Sequence, residues 1–387
     1  MRVGVDAMGW ANRRGYGRFA RNAVGRLVEL DDETTYVLYV DEETAADARL
    51  PHGADLRVVR LRRVPLNAAS AQSSRPIGDL LRLAAAVRRD RLDAFLFPSL
   101  QTYFPVLGTP TVVGLHDTIP EELPQLTLGS RRARTFWRAK QGLAIRRAAR
   151  LFTVSEASRQ ALATRLGLAP GRLAVVPEAP DPVFATRSPD EVAKARGAVG
   201  LKTDEPYLLY AGGISPHKDV ETLIDAFAKV RQGRLVLVGD LESETYLSAA
   251  ASVRDAIAAH GVGADVLLPG YVDDETLAGL YSGAAAVVIP SLGEGFGLPA
   301  VEAAACGAPL VLSDLPAHRE TMDGAALYFP PGDAHALARR LREVLSEPRD
   351  LGERARRAVG GRTWDAAAQR LRELIEDAAP PSVRKDR

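Results

Sequence analysis

The 387-residue chain has a single cysteine, Cys306, so no intramolecular disulfide can form, and cysteine gives no sign of a metal site or an oxidising compartment. It also lacks an excess of either charge, since 50 Lys and Arg residues face 49 Asp and Glu residues, which argues against a global attraction to nucleic acid or membranes. No apolar run approaches the roughly 18 residues of a membrane span, and residues 1–6 lack the apolar core of a signal peptide. We therefore expect a cytoplasmic protein in which Cys306 packs as a small core residue.

Several motifs of metal, cofactor and hydrolase chemistry are also missing. The sequence has no His-x-x-x-His or Asp-x-Asp pair, no cysteine cluster, no Gly-x-Ser-x-Gly elbow and no Walker loop. The glycine-rich stretch 9–18 does not fit Gly-x-Gly-x-x-Gly, and no acidic residue follows it at the offset expected for ribose binding, which disfavours a dinucleotide dehydrogenase. We expect a protein that needs neither a metal ion nor a resident cofactor.

What the chain does contain is short apolar runs that alternate with helical patterns from end to end. This alternation predicts an α/β fold: two Rossmann-like, doubly wound domains that face each other across a cleft. The predicted strands are Val3–Val5, Tyr36–Val40, Leu56–Val59, Ala94–Phe97, Thr111–Leu115, Arg150–Val154, Tyr207–Ala211, Leu235–Val238, Val266–Leu268, Ala286–Ile289, Leu310–Leu312 and Leu327–Phe329. The predicted helices of the first half are Arg18–Glu29, Gly78–Arg89, Ser130–Arg147 and Glu156–Leu166.

Three prolines in the segment 176–182 break regular structure and mark a linker between the halves. We predict a first domain over residues 1–178 and a second over residues 179–362. A C-terminal helix and tail over residues 363–387 should pack back toward the first domain. Ligands of such sheets bind outside the carboxyl ends of the strands, so motifs that follow a predicted strand carry the most weight.

The most informative segment follows the strand Ala286–Ile289 and holds two glutamates, Glu294 and Glu302, with seven residues between them. Pro299 suits the first position of a helix, where its missing N–H costs nothing. Glu302 then falls in the first turn and leans back over the loop that carries Glu294. Free amides and the helix dipole favour a phosphate between the two carboxylates. The segment suits a nucleotide-sugar, although its spacing alone fits a purely structural strand–loop–helix equally well.

A second glycine turn follows the strand Tyr207–Ala211 and contains Gly212, Gly213 and Lys218. Asp219 is a suitable N-cap residue, and the positions after it show the apolar spacing of a buried helix face. Lys218 therefore stands beside a helix N-terminus, where a cation is unfavourable unless an anion such as a diphosphate lies between them. The alternative is a solvated loop lysine, which this segment taken alone favours.

His116 follows the strand Thr111–Leu115, where its imidazole could hydrogen-bond a sugar hydroxyl. Asp117 could orient that imidazole or cap the next turn. A lone His-Asp pair is weak evidence, and taken alone it favours a structural role.

The glycine loop 9–18 could bring backbone close to a diphosphate or to an acceptor through Gly15 and Gly17, with charge supplied by Arg13 or Arg14. Further along, the segment Arg131–Arg150 is strongly basic and has no acidic residue. It has the pattern of a basic amphipathic helix that could meet an anionic lipid carrier or a membrane surface, although a solvated charged face is the favoured alternative.

Taken together, these segments carry a resemblance that covers almost the whole chain. It is most specific in the second half, in the stretches Tyr210–Lys218, Leu235–Gly239, Leu268–Leu277 and Pro290–Pro309. They resemble glycosyltransferase family 4, retaining enzymes of the GT-B fold, and the pair Glu294 and Glu302 is similar to that family's E-x7-E motif. The stretch His116–Pro120 resembles a subgroup that contains many mannosyltransferases of polysaccharide assembly.

The resemblance implies a role for each of these residues. Glu302 would hold the nucleotide ribose, Glu294 the donor-sugar hydroxyls and Lys218 the diphosphate, while His116 would contact the donor sugar. Tyr271 and Val272 would lie near the base, and backbone amides of Phe296, Gly297 and Leu298 would meet sugar and phosphate. The predicted catalytic residues are therefore His116, Lys218 and Glu294. The predicted donor-binding set is Gly15, Gly17, Gly212, Gly213, Lys218, Tyr271, Val272, Glu294, Gly295, Phe296, Gly297, Leu298 and Glu302.

Gly213 departs from the pattern of many family members, which have an arginine there that pairs with the following lysine around the phosphates. The departure leaves Lys218 with less help, and Arg13, Arg14 or Arg18 are candidates to compensate for it.

The implied function is retaining transfer of a hexose, with mannose from GDP-mannose favoured, to a hydroxyl of a glycan, lipid-linked or small-molecule acceptor. A GT-B-type nucleotide-sugar epimerase is one alternative, and a noncatalytic subunit that binds a nucleotide-sugar or a partner glycosyltransferase is another. Intact Lys218, Glu294 and Glu302 argue against the noncatalytic reading. The enzyme is expected in the cytoplasm, with peripheral contact at the inner membrane face as an option.

Overall fold

The computed structural model describes residues 1–12, 15–47, 49–62, 76–202, 205–240, 249–346 and 350–381. The chain divides into two compact units, of which the first comprises Met1–Glu178 with Thr363–Arg387 and the second comprises Ala179–Arg362. Each unit is built on one parallel sheet with helices, so the prediction of an α/β fold with two Rossmann-like units is confirmed. In the described ranges, no helix combines the length and the apolar character that crossing a membrane requires.

Seven parallel strands form the sheet of the first unit. They are β1 (Arg2–Asp6), β2 (Thr35–Val40), β3 (Asp55–Val58), β4 (Ala94–Phe97), β5 (Thr111–Gly114), β6 (Arg150–Thr153) and β7 (Leu173–Val175). Their spatial order is β3-β2-β1-β4-β5-β6-β7. Six of them were predicted to within one residue at each end. The prediction missed β7, because three residues are too few to show a periodic pattern.

The helices of the first unit include one irregular element near the N-terminus, a π-helical turn at Ala20–Val24. The helical segments are Gly15–Phe19, Ala20–Val24, Gly25–Leu30, Thr44–Ala46, Ile77–Arg89, Leu100–Thr102, Ile119–Glu122, Pro124–Thr127, Arg131–Arg147, Glu156–Leu166 and Trp364–Ala378. The last helix buries an apolar stripe that includes Trp364, Leu371 and Ile375, and it packs against β4 to β6 and the segment 20–30.

The basic segment 131–150 contains one long helix, which agrees with the predicted helix Ser130–Arg147 to within one residue. It begins after Ser130, whose side chain accepts a hydrogen bond from Ala133 N, and ends at Arg147. Arg150 opens β6, as predicted. On this helix Trp137 is buried, while Arg131, Arg132 and Arg138 are exposed. The first part of the helix is therefore amphipathic.

Six parallel strands form the sheet of the second unit. They are β8 (Tyr207–Ala211), β9 (Arg234–Val238), β10 (Val266–Gly270), β11 (Ala286–Ile289), β12 (Leu310–Ser313) and β13 (Leu327–Phe329). Their order is β10-β9-β8-β11-β12-β13. All residues of β8 and β11 are buried, as expected for central strands covered on both faces.

The helical segments of the second unit lie before, between and after these strands. They are Pro189–Ala198, Pro216–Lys218, Val220–Val230, Ala250–Ala259, Asp274–Gly283, Leu298–Ala305, Pro316–Met322, Ala334–Ser346 and Leu351–Val359. The chain runs outward in one direction from β8 and in the other from β11, so the carboxyl ends of these two strands form the switch point of the sheet. Ligands bind at such a point in open α/β sheets.

Candidate functional site

The two loops that follow β8 and β11 carry most of the residues predicted for the second domain. They are joined by a backbone hydrogen bond, which Leu292 N donates to His217 O at 2.8 Å. Because β8 and β11 are neighbours in the sheet, the Lys218 turn and the Glu294 loop emerge side by side. Local strand–loop–helix patterns therefore combine into one site at the switch point.

An ion pair links these two loops. Lys218 Nζ donates a hydrogen bond to Glu294 Oε1 at 2.7 Å, and Ser291 Oγ donates to the same oxygen at 2.7 Å. The Lys218 and Glu294 side chains are only 18% and 7% exposed. Burial alone would raise the pKa of the Glu294 carboxyl, but the Lys218 charge and these hydrogen bonds outweigh burial and lower it to about 2. Glu294 is thus a fixed carboxylate.

The loop between Glu294 and the next helix turns through a left-handed residue, Gly297, with φ 87° and ψ 43°. The helix begins at Leu298, so Pro299 occupies its second position rather than the predicted first. Glu302 is therefore the fifth helical residue, and the prediction that it lies in the first turn is wrong by one position. The cause is that Gly297 itself serves as the residue before the helix, which a left-handed glycine can do without strain.

Glu302 is 4% exposed and lies on the buried side of this helix. Its charge acts on Cys306, one turn further on. Burial, and next the charge of Glu302, raise the pKa of the Cys306 thiol to about 12. Cys306 is 1% exposed, as expected for a small core residue.

The turn that carries Lys218 is a short 3₁₀ helix, Pro216–Lys218. Asp219 follows with φ 50° and ψ 45°, a left-handed conformation, whereas a usual N-cap residue is extended. The predicted N-cap geometry is therefore not found, although Asp219 does directly precede the helix. Burial raises the pKa of its carboxyl.

The two glycines of this turn have different surroundings. Tyr210 Oη donates a hydrogen bond to Gly213 O at 2.7 Å and pins the turn. A Cβ at Gly212 would lie 3.0 Å from that same hydroxyl, whereas a Cβ at Gly213 would meet nothing closer than Ser215 Oγ at 4.0 Å. Gly213 thus leaves open space beside the loop, which is where the resemblance expected an arginine in many relatives.

A histidine that the sequence did not single out lies beneath the Glu294 loop. His318 is fully buried, and its Nδ1 donates a hydrogen bond to Ser313 O at 2.8 Å. In the neutral imidazole the lone pair is therefore on Nε2. A Cβ on Gly297 would approach His318 Cδ2 to 2.9 Å. Burial lowers the pKa of His318. No signal in the sequence could have found this residue, because it is an isolated histidine 24 positions beyond Glu294.

The loop after β10 holds the residues predicted to lie near a base. Tyr271 is 51% exposed and Val272 is half-buried. Gly239 N donates to Gly270 O at 3.0 Å, which ties this loop to the end of β9. The structure thus presents Tyr271 at the carboxyl edge of the second sheet.

In the first unit, His116 follows β5 at the carboxyl edge. Its Nε2 donates to Pro98 O at 2.8 Å, and its ring contacts Phe19 edge-on at 4.9 Å. Burial, opposed by that hydrogen bond, lowers the pKa of His116 to about 4. The imidazole is therefore neutral at physiological pH, with its lone pair on Nδ1. Asp117 Oδ1 accepts from Ile119 N at 2.9 Å and so caps the next turn, one of the two roles predicted for it.

The glycine loop of the first unit is described except for residues 13 and 14, so the suggested roles of Arg13 and Arg14 lie outside the described residues. Gly15 opens the first helix with free space around its Cα. A Cβ at Gly17 would lie 2.0 Å from Asn12 O, so packing within the loop is enough to require this glycine.

Arg21 holds the same loop in place. Its Nη1 donates to Trp10 O at 2.5 Å and to Asn12 O at 2.7 Å. No motif in the sequence predicted this pair of hydrogen bonds, which we call the Arg21 brace. Among the described residues, no group of three or more His, Cys, Asp or Glu side chains is arranged to hold a metal ion.

The geometry of the second unit suits an anion between two loops. One ammonium group and the free N–H groups of a helix start lie together, with a fixed carboxylate at 2.7 Å from the ammonium. Such a site can hold a phosphate and offer a carboxylate to hydroxyl groups. Lys218 and Glu294 come together in this unit, which also contains Glu302, while His116 belongs to the first.

Models of two protein families match the chain. The model described as Glycosyltransferase Family 4 matches residues 13–183, and the model described as Glycosyl transferases group 1 matches residues 191–360. The chain belongs to glycosyltransferase family 4. The predicted family membership is confirmed.

One relative of this glycosyltransferase is MMP alpha-(1->4)-mannosyltransferase of Mycolicibacterium hassiacum. It is 34% identical over 236 residues, which cover 59% of this chain and 54% of the relative. The chain spans about half the length of the curated relatives it matches.

Two solved structures resemble the glycosyltransferase over 97% of its length. Sucrose-phosphate synthase from Thermosynechococcus elongatus has a TM-score of 0.77 at 22% identity, with 98% of its chain covered. Anabaena HepE, solved in complex with UDP and glucose, has a TM-score of 0.76 at 19% identity, also with 98% covered. These likenesses confirm the predicted GT-B fold.

Proposed function

We propose that this glycosyltransferase is a retaining hexosyltransferase that moves a hexose from a nucleotide-sugar to a hydroxyl of a glycan, lipid-linked or small-molecule acceptor. The observation that carries the proposal is the buried Lys218–Glu294 pair beside the helix start at Gly297. A cation and free amides attract a diphosphate, and a fixed carboxylate accepts hydrogen bonds from sugar hydroxyls.

Mannose from GDP-mannose is the favoured donor. The likeness to a mannosyltransferase supports the sugar, and the UDP and glucose bound in HepE support a nucleotide-sugar as the donor class. The base is left to experiment, because Tyr271 and Val272 would face it mainly through backbone groups.

In this proposal the second unit binds the donor and the first binds the acceptor. Glu302 holds the ribose, and Lys218 with the amides of Gly295, Phe296, Gly297 and Leu298 holds the diphosphate. Gly212 and Gly213 give the diphosphate close access to backbone.

Each unit offers a hydrogen-bond acceptor for sugar hydroxyls. Glu294 of the second unit is an ionised carboxylate and accepts hydrogen bonds from hydroxyls of the hexose. His116 of the first unit is neutral, and its Nδ1 lone pair is free to accept a hydrogen bond from a hydroxyl. Because both only accept, they position the sugar rather than act as an acid and base pair.

During transfer, the bond between the anomeric carbon and the diphosphate oxygen breaks, and its electron pair leaves on the diphosphate. Lys218 and the loop amides stabilise the growing negative charge, since preorganised electrostatics of this kind is usually the largest catalytic contribution. The acceptor oxygen forms its bond on the face from which the diphosphate departs, so the anomeric configuration is retained. A phosphate oxygen takes the acceptor proton, and no metal ion takes part.

The proposal is tested first by binding. Thermal shift with GDP, UDP, ADP and dTDP identifies the base, and turnover of the matching nucleotide-sugars identifies the hexose. Turnover should be the same with and without EDTA, and NMR of the product should show a retained linkage. An inverted linkage would overturn the stereochemistry, and an enzyme that neither binds nor turns over any of these ligands would overturn the function.

Two controls separate the remaining alternatives. Incubation of the donor without acceptor should leave the sugar unchanged, whereas conversion to its epimer would indicate an epimerase. Sedimentation with vesicles of anionic or of zwitterionic lipid tests whether the exposed arginines Arg131, Arg132 and Arg138 meet a membrane. The cytoplasmic location stays a prediction that cell fractionation can check.

A further inference from the structure

The positive charge at the proposed donor site does not offset the negative charge of the proposed ligand. Lys218 is held by Glu294 at 2.7 Å, and Glu302 adds a second buried carboxylate. A nucleoside diphosphate brings further negative charge, and Gly213 has no side chain to offset it. The helix start contributes only about half of a positive charge. A further cation near the Glu294 loop would complete this arrangement.

Arg362 lies beside this loop. Its guanidinium carbon is 5.5 Å from the centre of the Phe296 ring, and Phe296 is one of the residues of the turn between Glu294 and Leu298. The helix Ala334–Ser346 leaves the carboxyl end of β13, and the next helix, Leu351–Val359, returns toward that edge. Arg362 follows the returning helix directly. The fold therefore brings its side chain to the same edge of the sheet as the donor loop.

The guanidinium of Arg362 is half-buried without a counter-ion. Its Nε is enclosed and has no hydrogen-bond partner, and no carboxylate forms an ion pair with it among the residues that the structure describes. Burial lowers the pKa of Arg362, with the charge of Glu320 acting in the opposite sense from beyond ion-pair distance. Buried polar atoms are nearly always hydrogen-bonded, so the enclosed, unpartnered Nε of Arg362 beside an anion site indicates that a ligand supplies the missing partner.

We propose that Arg362 is the second cation of the donor site and binds the diphosphate of the nucleotide-sugar together with Lys218. This proposal rests on the proposed function and adds a binding residue to it. Phe296 holds the guanidinium in place through its ring face, and the five donors of arginine suit the oxygens of a phosphate. Arg362 thus does for this chain what an arginine at position 213 would otherwise do.

The test compares binding of nucleoside diphosphates and monophosphates by isothermal titration calorimetry, with GDP, UDP, GMP and UMP as the probes. Arg362→Met keeps the length of the side chain and its contact with Phe296 but removes the charge. We expect its Kd for the preferred diphosphate to rise about tenfold to a hundredfold, as loss of a charged hydrogen bond implies. The Kd for the monophosphate should change much less, and Arg362→Lys should keep part of the affinity.

Arg357→Met is the matched control. Arg357 lies on the preceding helix, pairs with Asp350 at 3.2 Å and is 65% exposed, so its replacement should leave both affinities unchanged. Wild-type diphosphate affinity in Arg362→Met would overturn the proposal, as would an equal loss for monophosphate and diphosphate, because a purely structural role predicts that result. If the wild-type protein binds no nucleotide at all, the proposed function fails instead.

Discussion

The ligand edges of the two units are built in opposite ways. In the second unit, an ammonium and a carboxylate, Lys218 and Glu294, are buried together and joined at 2.7 Å. In the first unit, the corresponding edge offers a neutral imidazole, His116, whose proton is committed to Pro98 O. The edge of the second unit carries a buried ion pair, whereas the edge of the first unit offers a neutral group that can accept a hydrogen bond from a hydroxyl. This difference matches a reaction in which charge develops on only one of the two substrates.

Removal of Lys218 should have the largest effect. In the proposed function Lys218 stabilises the leaving diphosphate, so Lys218→Met should lower kcat/KM about a hundredfold to a thousandfold. It also leaves Glu294 buried and unpaired, which should cost about 3–5 kcal/mol of unfolding free energy. The double variant Lys218→Met with Glu294→Gln should regain most of that stability but none of the activity. Steady-state kinetics and urea denaturation give the two readouts.

Lys229→Met is the matched control for this pair. Lys229 forms an ion pair with Asp225 within one helix, and both side chains are about one third exposed. Its loss should change the unfolding free energy by less than about 1 kcal/mol and leave kcat/KM as it is. If Lys218→Met behaved like this control, the proposal that Lys218 stabilises negative charge at the edge of the second unit would be wrong.

Gly297 should come next, because two separate constraints meet there. Its φ of 87° disfavours any side chain, and a Cβ would also collide with His318 at 2.9 Å. Gly297→Ala should cost about 1–3 kcal/mol from backbone strain alone, and displacement of the loop should weaken nucleoside diphosphate binding by at least about tenfold, a factor that corresponds to about 1.4 kcal/mol.

Gly324→Ala isolates the strain from the collision. Gly324 has φ 76° and nothing within 4 Å of the added Cβ. The control should lose stability but bind the diphosphate normally by calorimetry. Equal binding in both variants would show that the loop at Gly297 does not shape the donor site.

His116 and Glu294 should lose their contributions to stability in different pH ranges. The pKa of His116 is about 4 in the folded chain against 6.5 for a free histidine, so the unfolded chain takes up this proton first, and stability is lost as pH falls from about 6.5 to about 4. The pKa of Glu294 is about 2 against 4.5, so its contribution is lost between about pH 4.5 and pH 2. Urea titrations at several pH values measure both ranges.

Variants assign each range to its residue. His116→Gln should flatten the pH dependence of stability in the upper range, where buried His318 contributes the remaining slope, and Glu294→Gln should flatten it in the lower range. Retention of the full slope between pH 6.5 and pH 4 in His116→Gln would mean that the imidazole is not held neutral by its surroundings.

The smallest effect is expected from the brace in the first unit. Arg21→Met removes two hydrogen bonds from the loop 7–12, those to Trp10 O and Asn12 O, and should cost about 1–3 kcal/mol. Arg26→Met breaks only exposed ion pairs and should cost less than about 1 kcal/mol. Both should bind the nucleoside diphosphate as wild type does, since that site lies in the second unit. A large loss of affinity in Arg21→Met would show that nucleotide binding also depends on the loop 7–12 of the first unit.

Much of the fold could be predicted because its signals are local. Buried parallel strands such as β8 and β11 are short apolar runs, and their predicted bounds agree with the structure to the residue. Gly297 and Pro299 likewise indicate a turn and a helix start within a few positions of each other. Local rules fail only in detail, as in the left-handed backbone of Asp219.

The contacts that define the site could not be predicted in the same way. Lys218 and Glu294 are 76 residues apart, and their hydrogen bond depends on the adjacency of β8 and β11. His318 and Arg362 approach the donor loop only through tertiary packing, and neither belongs to a motif. The sequence predicts which residues carry the chemistry, but the partners that tune them are set by the topology of the sheet.

The single cysteine has a consequence for the donor helix. Thiols react through the thiolate, and Cys306, with a pKa near 12 and 1% exposure, offers almost none while the fold is closed. A thiol reagent can therefore modify the protein only during transient local opening of the helix that begins after Gly297. Its rate reports the free energy of that opening, much as amide hydrogen exchange does. In the proposed function, bound nucleotide should suppress this opening, so the rate of Cys306 modification would report occupancy of the proposed donor site.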